Sequence, residues 1–341
     1  LKEMWASWHK VGAPMRADYT KFVRISNAGS KELGYADTGA QWRAGYDMDP
    51  DAFAKLTDDT WKQVKPLYDQ LHCYTRTKLS EKYGDHRVRA TPISEQAIMG
   101  ACVGSALAGF RPIAEIMLMN FVTVAMDQIV NHAAKLRFMS GGQTHVPLVI
   151  RTTTGVGVGF GGQHSDMLEA WFAHVPGLKI VTPSNAADAQ GLMRAAIACN
   201  DPVIFIENIL CYGLQSPDPG PGHVIPLSQA AIAREGNDCS IITYGRCVLD
   251  ALEVAGKLSD EGISVEVVDL RTIAPYDRAT VTDSVRKTGR AVVLHEAVKA
   301  FGPGAEIAAN LAADLFGELK APIERLGGAF SAVPMANSLE Q

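Results

Sequence analysis

Two residues in this sequence are placed to do chemistry. Glu95 follows Thr91-Pro92-Ile93-Ser94, a turn in which Pro92 fixes the backbone, and precedes an apolar, Gly-rich stretch that reads as a helix over 97–108. A first-turn glutamate is also favoured by the helix dipole alone. His164 follows residues 155–162, a loop with five glycines. No packing need explains that composition, so the loop reads as a flexible segment presenting a functional histidine. The letters Gly157-x-Gly159-x-x-Gly162 match a dinucleotide fingerprint, but the next strand runs into Thr182-Pro183-Ser184-Asn185 and offers no acidic residue for a ribose. A zinc peptidase needs His-Glu-x-x-His, and the pair His295-Glu296 has Lys299 where the second His belongs. Cys73, Cys102, Cys199, Cys211, Cys239 and Cys247 lack CxxC spacing, which argues for reduced thiols in a cytoplasmic protein.

The bulk properties narrow the partners. The 341 residues are enough for two or three domains, and 47% hydrophobic with 20% charged residues is a globular composition. The net charge of −5 offers no basic field for nucleic acid or an anionic membrane. Apolar runs such as 202–206 and 291–294 are too short to span a bilayer. The first and last residues do not look like a natural start and stop, so the chain reads as a fragment.

The elements that must position Glu95 and His164 begin at residue 86. Strands are expected at 111–116, 146–151, 178–182 and 203–207, with helices at 97–108, 120–137 and 185–198. A further helix opens at His164 and runs to Phe172. Alternation of this kind predicts a parallel sheet covered on both faces, with ligands at the carboxyl ends of the strands. Residues 217–222 form a linker by composition. A second α/β unit then has strands at 239–244, 264–269, 291–295 and 323–326, and helices at 248–258, 280–288 and 304–316. Residues 1–85 differ. They hold four of the five tryptophans (Trp5, Trp8, Trp42, Trp61) and show helical spacing at 3–10, 14–33 and 50–82, with Pro14 and Pro50 as helix starts and no strand pattern. Three domains follow: 1–85, 86–225 and 226–341.

Residues 1–85 resemble a piece of the angiotensin-converting-enzyme-like peptidyl-dipeptidases. The resemblance rests on Trp8-His9, Gly12-Ala13-Pro14-Met15-Arg16, Asp37-Thr38-Gly39, Trp42-Arg43 and Val64-Lys65-Pro66-Leu67-Tyr68 through Leu71-His72-Cys73-Tyr74. It does not include the zinc motif. It implies a chloride-binding role at the position of Arg43, but without the rest of that fold Arg43 reads as a solvated arginine, and His9 and His72 as surface or core histidines. At Tyr83-Gly84-Asp85 this pattern meets a second one.

Residues 86–341 resemble the beta subunit of thiamine-diphosphate-dependent 2-oxo-acid dehydrogenases of the pyruvate and acetoin types. The motifs are Thr91-Pro92-Ile93-Ser94-Glu95, Gly109-Phe110-Arg111-Pro112, Asn120-Phe121, Met126-Asp127-Gln128-Ile129, Met139-Ser140-Gly141-Gly142, Gln163-His164-Ser165, Ala173-His174-Val175-Pro176-Gly177-Leu178-Lys179 and Pro202 through Glu207-Asn208, with Asp269-Leu270-Arg271-Thr272-Ile273-Ala274-Pro275 further on. The resemblance implies two transketolase-like α/β domains. It implies that Glu95 hydrogen-bonds the aminopyrimidine of thiamine diphosphate, that Phe121 stacks on it with Ile93 and Met117 lining the pocket, and that His164 acts near the thiazolium. It implies a potassium ion (K+) on the carbonyls of Leu148, Ala196, Ile197 and Cys199 and on the side chain or carbonyl of Asp201. The Gly-Asp-Gly motif that anchors diphosphate and Mg2+ is absent, so the alpha subunit would supply it, in an alpha2beta2 assembly docked on a dihydrolipoyl acyltransferase core. His295-Glu296 would be strand-end residues at a subunit interface. The family's N-terminal strand is missing, so the first sheet should have an open edge, and a terminal helix after Met335 also looks missing. Three functions stay open: a thiamine-dependent decarboxylase beta subunit bearing a foreign N-terminus, a truncated peptidyl-dipeptidase, and a non-catalytic or artefactual fusion.

Overall fold

Good helix formers dominate the first 83 positions. A computed structural model, which describes residues 2–84 and 87–340 and side chains other than those at 2–14, 72, 76, 80 and 337, gives three helices there: α1 (Lys2–Glu32), α2 (Thr38–Arg43) and α3 (Pro50–Tyr83). Trp5, Trp8, His9 and His72 lie outside the described side chains, and Asp85 outside the described residues. Pro50 does open α3. Pro14 does not open a helix, because α1 runs through it; one lost main-chain bond is outweighed by helix formers on both sides. Pro66 is likewise carried inside α3. The short α2 was not expected. Asp37 caps it, its Oδ1 accepting the Ala40 N–H at 2.7 Å. Ser26, Ser30, Thr38 and Gln41 knit α1 to α2 through hydroxyl and amide bonds of 2.7–3.0 Å. Arg43 is not simply solvated: its Nε donates to the Pro50 carbonyl at 3.0 Å and ties α2 to the start of α3. Among the described side chains of residues 1–90, only Ser30 and Ala40 are buried, so these helices enclose no core of their own.

Residues 1–90 and 91–341 form two separate compact units. In the second, the apolar run 203–206 and the Val-rich run 265–268 become strands buried on both faces. One sheet contains β1 (Ile113–Leu118), β2 (Val149–Thr154), β3 (Lys179–Val181) and β4 (Val203–Asn208), all parallel in the order β1-β2-β4-β3. The other contains β5 (Ala231–Arg234), β6 (Cys239–Thr243), β7 (Val265–Asp269), β9 (Ala291–Val298) and β10 (Glu324–Gly328), in the order β10-β9-β6-β7-β5. β8 (Thr272–Ala274) leaves this half of the sequence and pairs antiparallel with β3, and β5 pairs antiparallel with β7. Both sheets are therefore mixed at one edge. Strands of three or four residues are too short to show a period, which is why neither was expected. β1 is the other edge of the first sheet, and among the described residues it pairs only with β2. The expected open edge is thus present.

The helices are α4 (Glu95–Leu107), α5 (Met119–Val122), α6 (Leu136–Met139), α7 (Glu169–Ala173), α8 (Ala186–Ala198), α9 (Cys247–Asp260), α10 (Arg278–Thr288), α11 (Pro303–Asp314) and a last turn, α12 (Asn337–Glu340). Two expectations fail. The helix from His164 to Phe172 is only α7; residues 162–164 turn and 165–168 are non-helical. The single helix over 120–137 is broken into α5, a 3-10 turn at Thr123–Ala125, a π-helical stretch at Asp127–Ala133, and α6. One buried core joins the sheets, with Ile150, Ile180 and Ile204 from the first and Ile242, Val268 and Val293 from the second.

Gly177 stands against the broken helix. Its φ is +101°, and a Cβ there would lie 2.1 Å from the Ala134 carbonyl oxygen. Backbone cannot yield as a side-chain tip can. Gly177→Ala should therefore destabilise the protein by at least about 1–2 kcal/mol from the left-handed backbone alone, read as a lower urea midpoint at unchanged slope.

Candidate active site

The carboxyl ends of β1, β2 and β4 emerge side by side, with Leu118 opposite Thr153 and Thr154 opposite Asn208. In parallel sheets this is where ligands collect. α4 packs on β1 and is joined to it by residues 108–112. Thirteen helical residues rise about 20 Å, and six strand residues about as far. The start of α4 therefore returns to the level at which β1 ends. That start is Glu95. Its side chain is half-buried, and no described residue bonds or ion-pairs its carboxylate. Ile93 is 87% exposed and Met117 64% exposed, while Phe121, one turn past β1, is half-buried.

His164 is brought to Phe121. Their rings lie 5.4 Å apart, edge to face at 88°. Both flanks of His164 are tied down. On one side Asp166 accepts from the Asn120 amide at 2.7 Å, and the Asp166 carbonyl accepts from the Thr154 hydroxyl at 2.8 Å. On the other, the Gly-rich loop gives its backbone N–H groups to two carboxylates from the far half of the chain. Glu296 on β9 accepts from Val156 at 2.6 Å and from the Asn208 amide at 2.7 Å. Glu340 on α12 accepts from Gly157 at 2.7 Å and Gly159 at 2.9 Å. Gly155, Gly157, Gly159 and Gly161 all have positive φ, which turns these N–H groups outward.

Sequence reasoning missed the support beneath this loop. His295-Glu296 is not at a strand end but inside β9, which runs on to Val298. Glu296 is largely buried; burial pushes its carboxyl up, and the Val156 N–H and Asn208 pull it back. The His295 ring is buried, with Nδ1 against the Ala297 carbonyl at 2.9 Å, and it faces the Tyr244 ring. Burial lowers its pKa. Tyr244 donates to Glu169 Oε1 at 2.5 Å, and Glu169 Oε2 has no partner among the described residues. Glu169 is five residues past His164, but its partner is 75 residues further on, and no local pattern announces such a pairing.

The residues present fit the pyrimidine half of thiamine diphosphate. Glu95 is an acceptor with free lone pairs, and Ile93, Met117 and Phe121 offer apolar surface not yet covered. Nothing in the chain matches the diphosphate-anchoring motif. Each residue expected to hold potassium already has a partner: the carbonyls of Leu148, Ala196, Ile197 and Cys199 and the Asp201 carboxylate all accept hydrogen bonds. Among the described residues no three His, Cys, Asp or Glu side chains converge on a metal position, and no helix is long and apolar enough to cross a membrane.

Comparisons with known proteins find relatives for both parts of the chain. The family model "Transketolase, pyrimidine binding domain" matches residues 67–212, and "Transketolase, C-terminal domain" matches 228–341. "Angiotensin-converting enzyme" matches residues 1–106, overlapping the pyrimidine-binding model. The chain is 46% identical over 273 residues to the mitochondrial pyruvate dehydrogenase E1 component subunit beta-1 of Arabidopsis thaliana, covering 79% of this chain and 75% of that protein. It is 47% identical over 262 residues to the beta subunit of acetoin:2,6-dichlorophenolindophenol oxidoreductase of Cupriavidus necator, covering 77% of each. Among solved structures, a split-gene transketolase described as an inactive beta4 tetramer superposes with a TM-score of 0.59 at 24% identity, over 73% of this chain and 79% of that one; this likeness speaks to the fold.

The buried carboxyl below the loop sets a pH dependence. Burial pushes Glu169 up to about 7, from 4.5, against the Tyr244 bond. Below pH 4.5 both folded and unfolded chains hold the proton. From there to about 7 the unfolded chain releases it while the folded chain keeps it, so stability falls by about 3 kcal/mol and is flat above. Glu169→Gln should flatten this decline between pH 5 and 7.5 in urea titrations. Parallel profiles for the two proteins would rule the assignment out.

Proposed function

The chain belongs to the family of pyruvate dehydrogenase E1 component beta subunits, and from that premise we propose that it forms the beta half of a thiamine-diphosphate site for decarboxylation of a small 2-oxo acid, with the acyl group passed to a lipoyl arm. The observation that carries this reading is the Phe121–His164 ring contact at the strand ends, with Glu95 opening the helix that packs on β1. Residues 86–225 and 226–341 are the two working domains, and residues 1–85 have no part in the chemistry.

The side chains divide the work. Glu95 accepts a hydrogen bond from the ring held beside it and so fixes both its orientation and its proton distribution. Ile93, Met117 and Phe121 form the apolar wall that orients the ring and excludes water. His164 holds or delivers a proton next to the reacting carbon, in a position fixed by Phe121 and by the anchors at Val156 and Asp166. When bound, thiamine diphosphate supplies the electron sink for loss of the carboxyl group. The alpha subunit would contribute the residues for the diphosphate and Mg2+, because this chain has no Gly-Asp-Gly motif. The active form would be alpha2beta2 docked on a dihydrolipoyl acyltransferase core.

Reconstitution with an alpha subunit tests the assignment. Glu95→Gln should lower 2-oxo-acid decarboxylation by about 100-fold or more, the usual size of a lost acid–base partner, while leaving alpha–beta association intact. Full activity in that variant would remove Glu95 from the mechanism.

A further inference from the structure

The potassium site implied by the family resemblance does not fit the residues of this chain. α8 ends at Ala198 and is capped by Cys199, so the carbonyls at its end lack intrahelical donors and form the negative pole of the helix. A cation is welcome there, and the chain provides one. Arg111, in the connection between α4 and β1, donates from Nη1 to the Ile197 carbonyl at 2.9 Å and the Cys199 carbonyl at 2.8 Å. Its Nη2 donates to Asn200 Oδ1 at 2.5 Å. Two of the five expected ligands are thus held by one guanidinium.

The remaining three are also engaged. The Leu148 carbonyl accepts the Val203 N–H at 2.8 Å, and the Ala196 carbonyl accepts the Cys199 N–H at 3.2 Å. Asp201 accepts from Lys179 Nζ at 2.5 Å through Oδ2 and from Arg137 through Oδ1. Lys179 also reaches Cys199 Sγ at 3.3 Å. Arg111, Arg137 and Lys179 therefore surround the end of α8, with Asp201 as the one carboxylate they share. A potassium ion would have to displace the guanidinium from two carbonyls and then sit among three positive groups. Each carbonyl keeps a second lone pair, but oxygen ligands hold a hard cation by converging on it, and the point on which the Ile197 and Cys199 carbonyls converge is taken by Arg111 Nη1.

We propose that Arg111 and Lys179 are a built-in replacement for the potassium ion, so that this chain takes no monovalent cation at the end of α8. The proposal concerns an ion and is independent of the reaction assigned above. The test is the thermal midpoint of the full chain in potassium, sodium and tetramethylammonium chloride at equal ionic strength, for the native protein and for Arg111→Met. Direct binding of thallium(I), a potassium probe, is followed by thallium NMR. The expected result is a native midpoint that does not distinguish potassium from sodium, with no saturable thallium signal. Arg111→Met should melt lower and be restored saturably by potassium but not sodium. A saturable rise of the native midpoint in potassium over sodium, or a bound thallium resonance in the native protein, would overturn the proposal. The native measurements decide it even where the variant does not fold.

Discussion

The bond on which the site depends is the one from the Val156 N–H to Glu296. It spans 140 positions of sequence and joins the second sheet to the loop at the mouth of the first. Glu296 also holds the Asn208 amide at the end of β4, so a single carboxylate ties the loop to the strand beside it. Hydrogen bonds to a charged group contribute about 1.5–3 kcal/mol each, a large share for a loop of glycines with few side chains to pack. Glu340 adds two more such bonds a turn further along. The loop's composition gives it the freedom to adopt left-handed backbone, and the carboxylates remove that freedom again. What remains is a histidine at a defined height above the strand ends.

Much of this layout was legible in the sequence, for particular reasons. The apolar runs that open β2 (Val149-Ile150) and β4 (203–206) belong in the middle of a parallel sheet, and the structure places them there. Glu95 was legible because Pro92 and the small residues after it mark a turn and a helix start. His164 was legible by the glycines before it. The parts that were not legible are long-range or too short. β5 and β8 are edge strands of three or four residues. The π-helical turn at 127–133 depends on what packs against it, not on a local pattern. Arg111 reads as the first residue of an expected strand until the end of α8, 86 residues later, is folded beside it.

The contrast between the two units follows from where their apolar side chains go. In residues 91–341 the strands and helices bury three apolar clusters, the largest of which joins the two sheets. In residues 1–90, α3 turns Trp61, Leu67, Leu71 and Tyr74 to the surface, and the buried side chains described there are a serine and an alanine. Amphipathic helices draw most of their stability from tertiary packing rather than from propensity. The described side chains of the first unit are therefore those of amphipathic helices that enclose no core among themselves. The second unit meets the opposite situation: its core is complete, and what is left open is the edge at β1 and the wall formed by Ile93 and Met117.

That opening has a chemical signature. Covering an exposed Ile, Met or Phe side chain gains about 1.5–3 kcal/mol each, so the wall favours any apolar cover. Glu95 does not. A carboxylate shut away without a donor costs several kcal/mol, and no described residue of this chain bonds to it. A purely apolar surface laid over the wall would strand that charge. In the proposed reading the cover brings a hydrogen-bond donor to Glu95 and a flat ring to the Phe121 side, which an aminopyrimidine can do and an aliphatic surface cannot. In the proposed reading, closing the wall with an alpha subunit and filling it with the ring are therefore favourable together and unfavourable singly. In that reading the exposed wall and the carboxylate are two halves of one requirement, and cofactor binding and subunit association would be a coupled equilibrium.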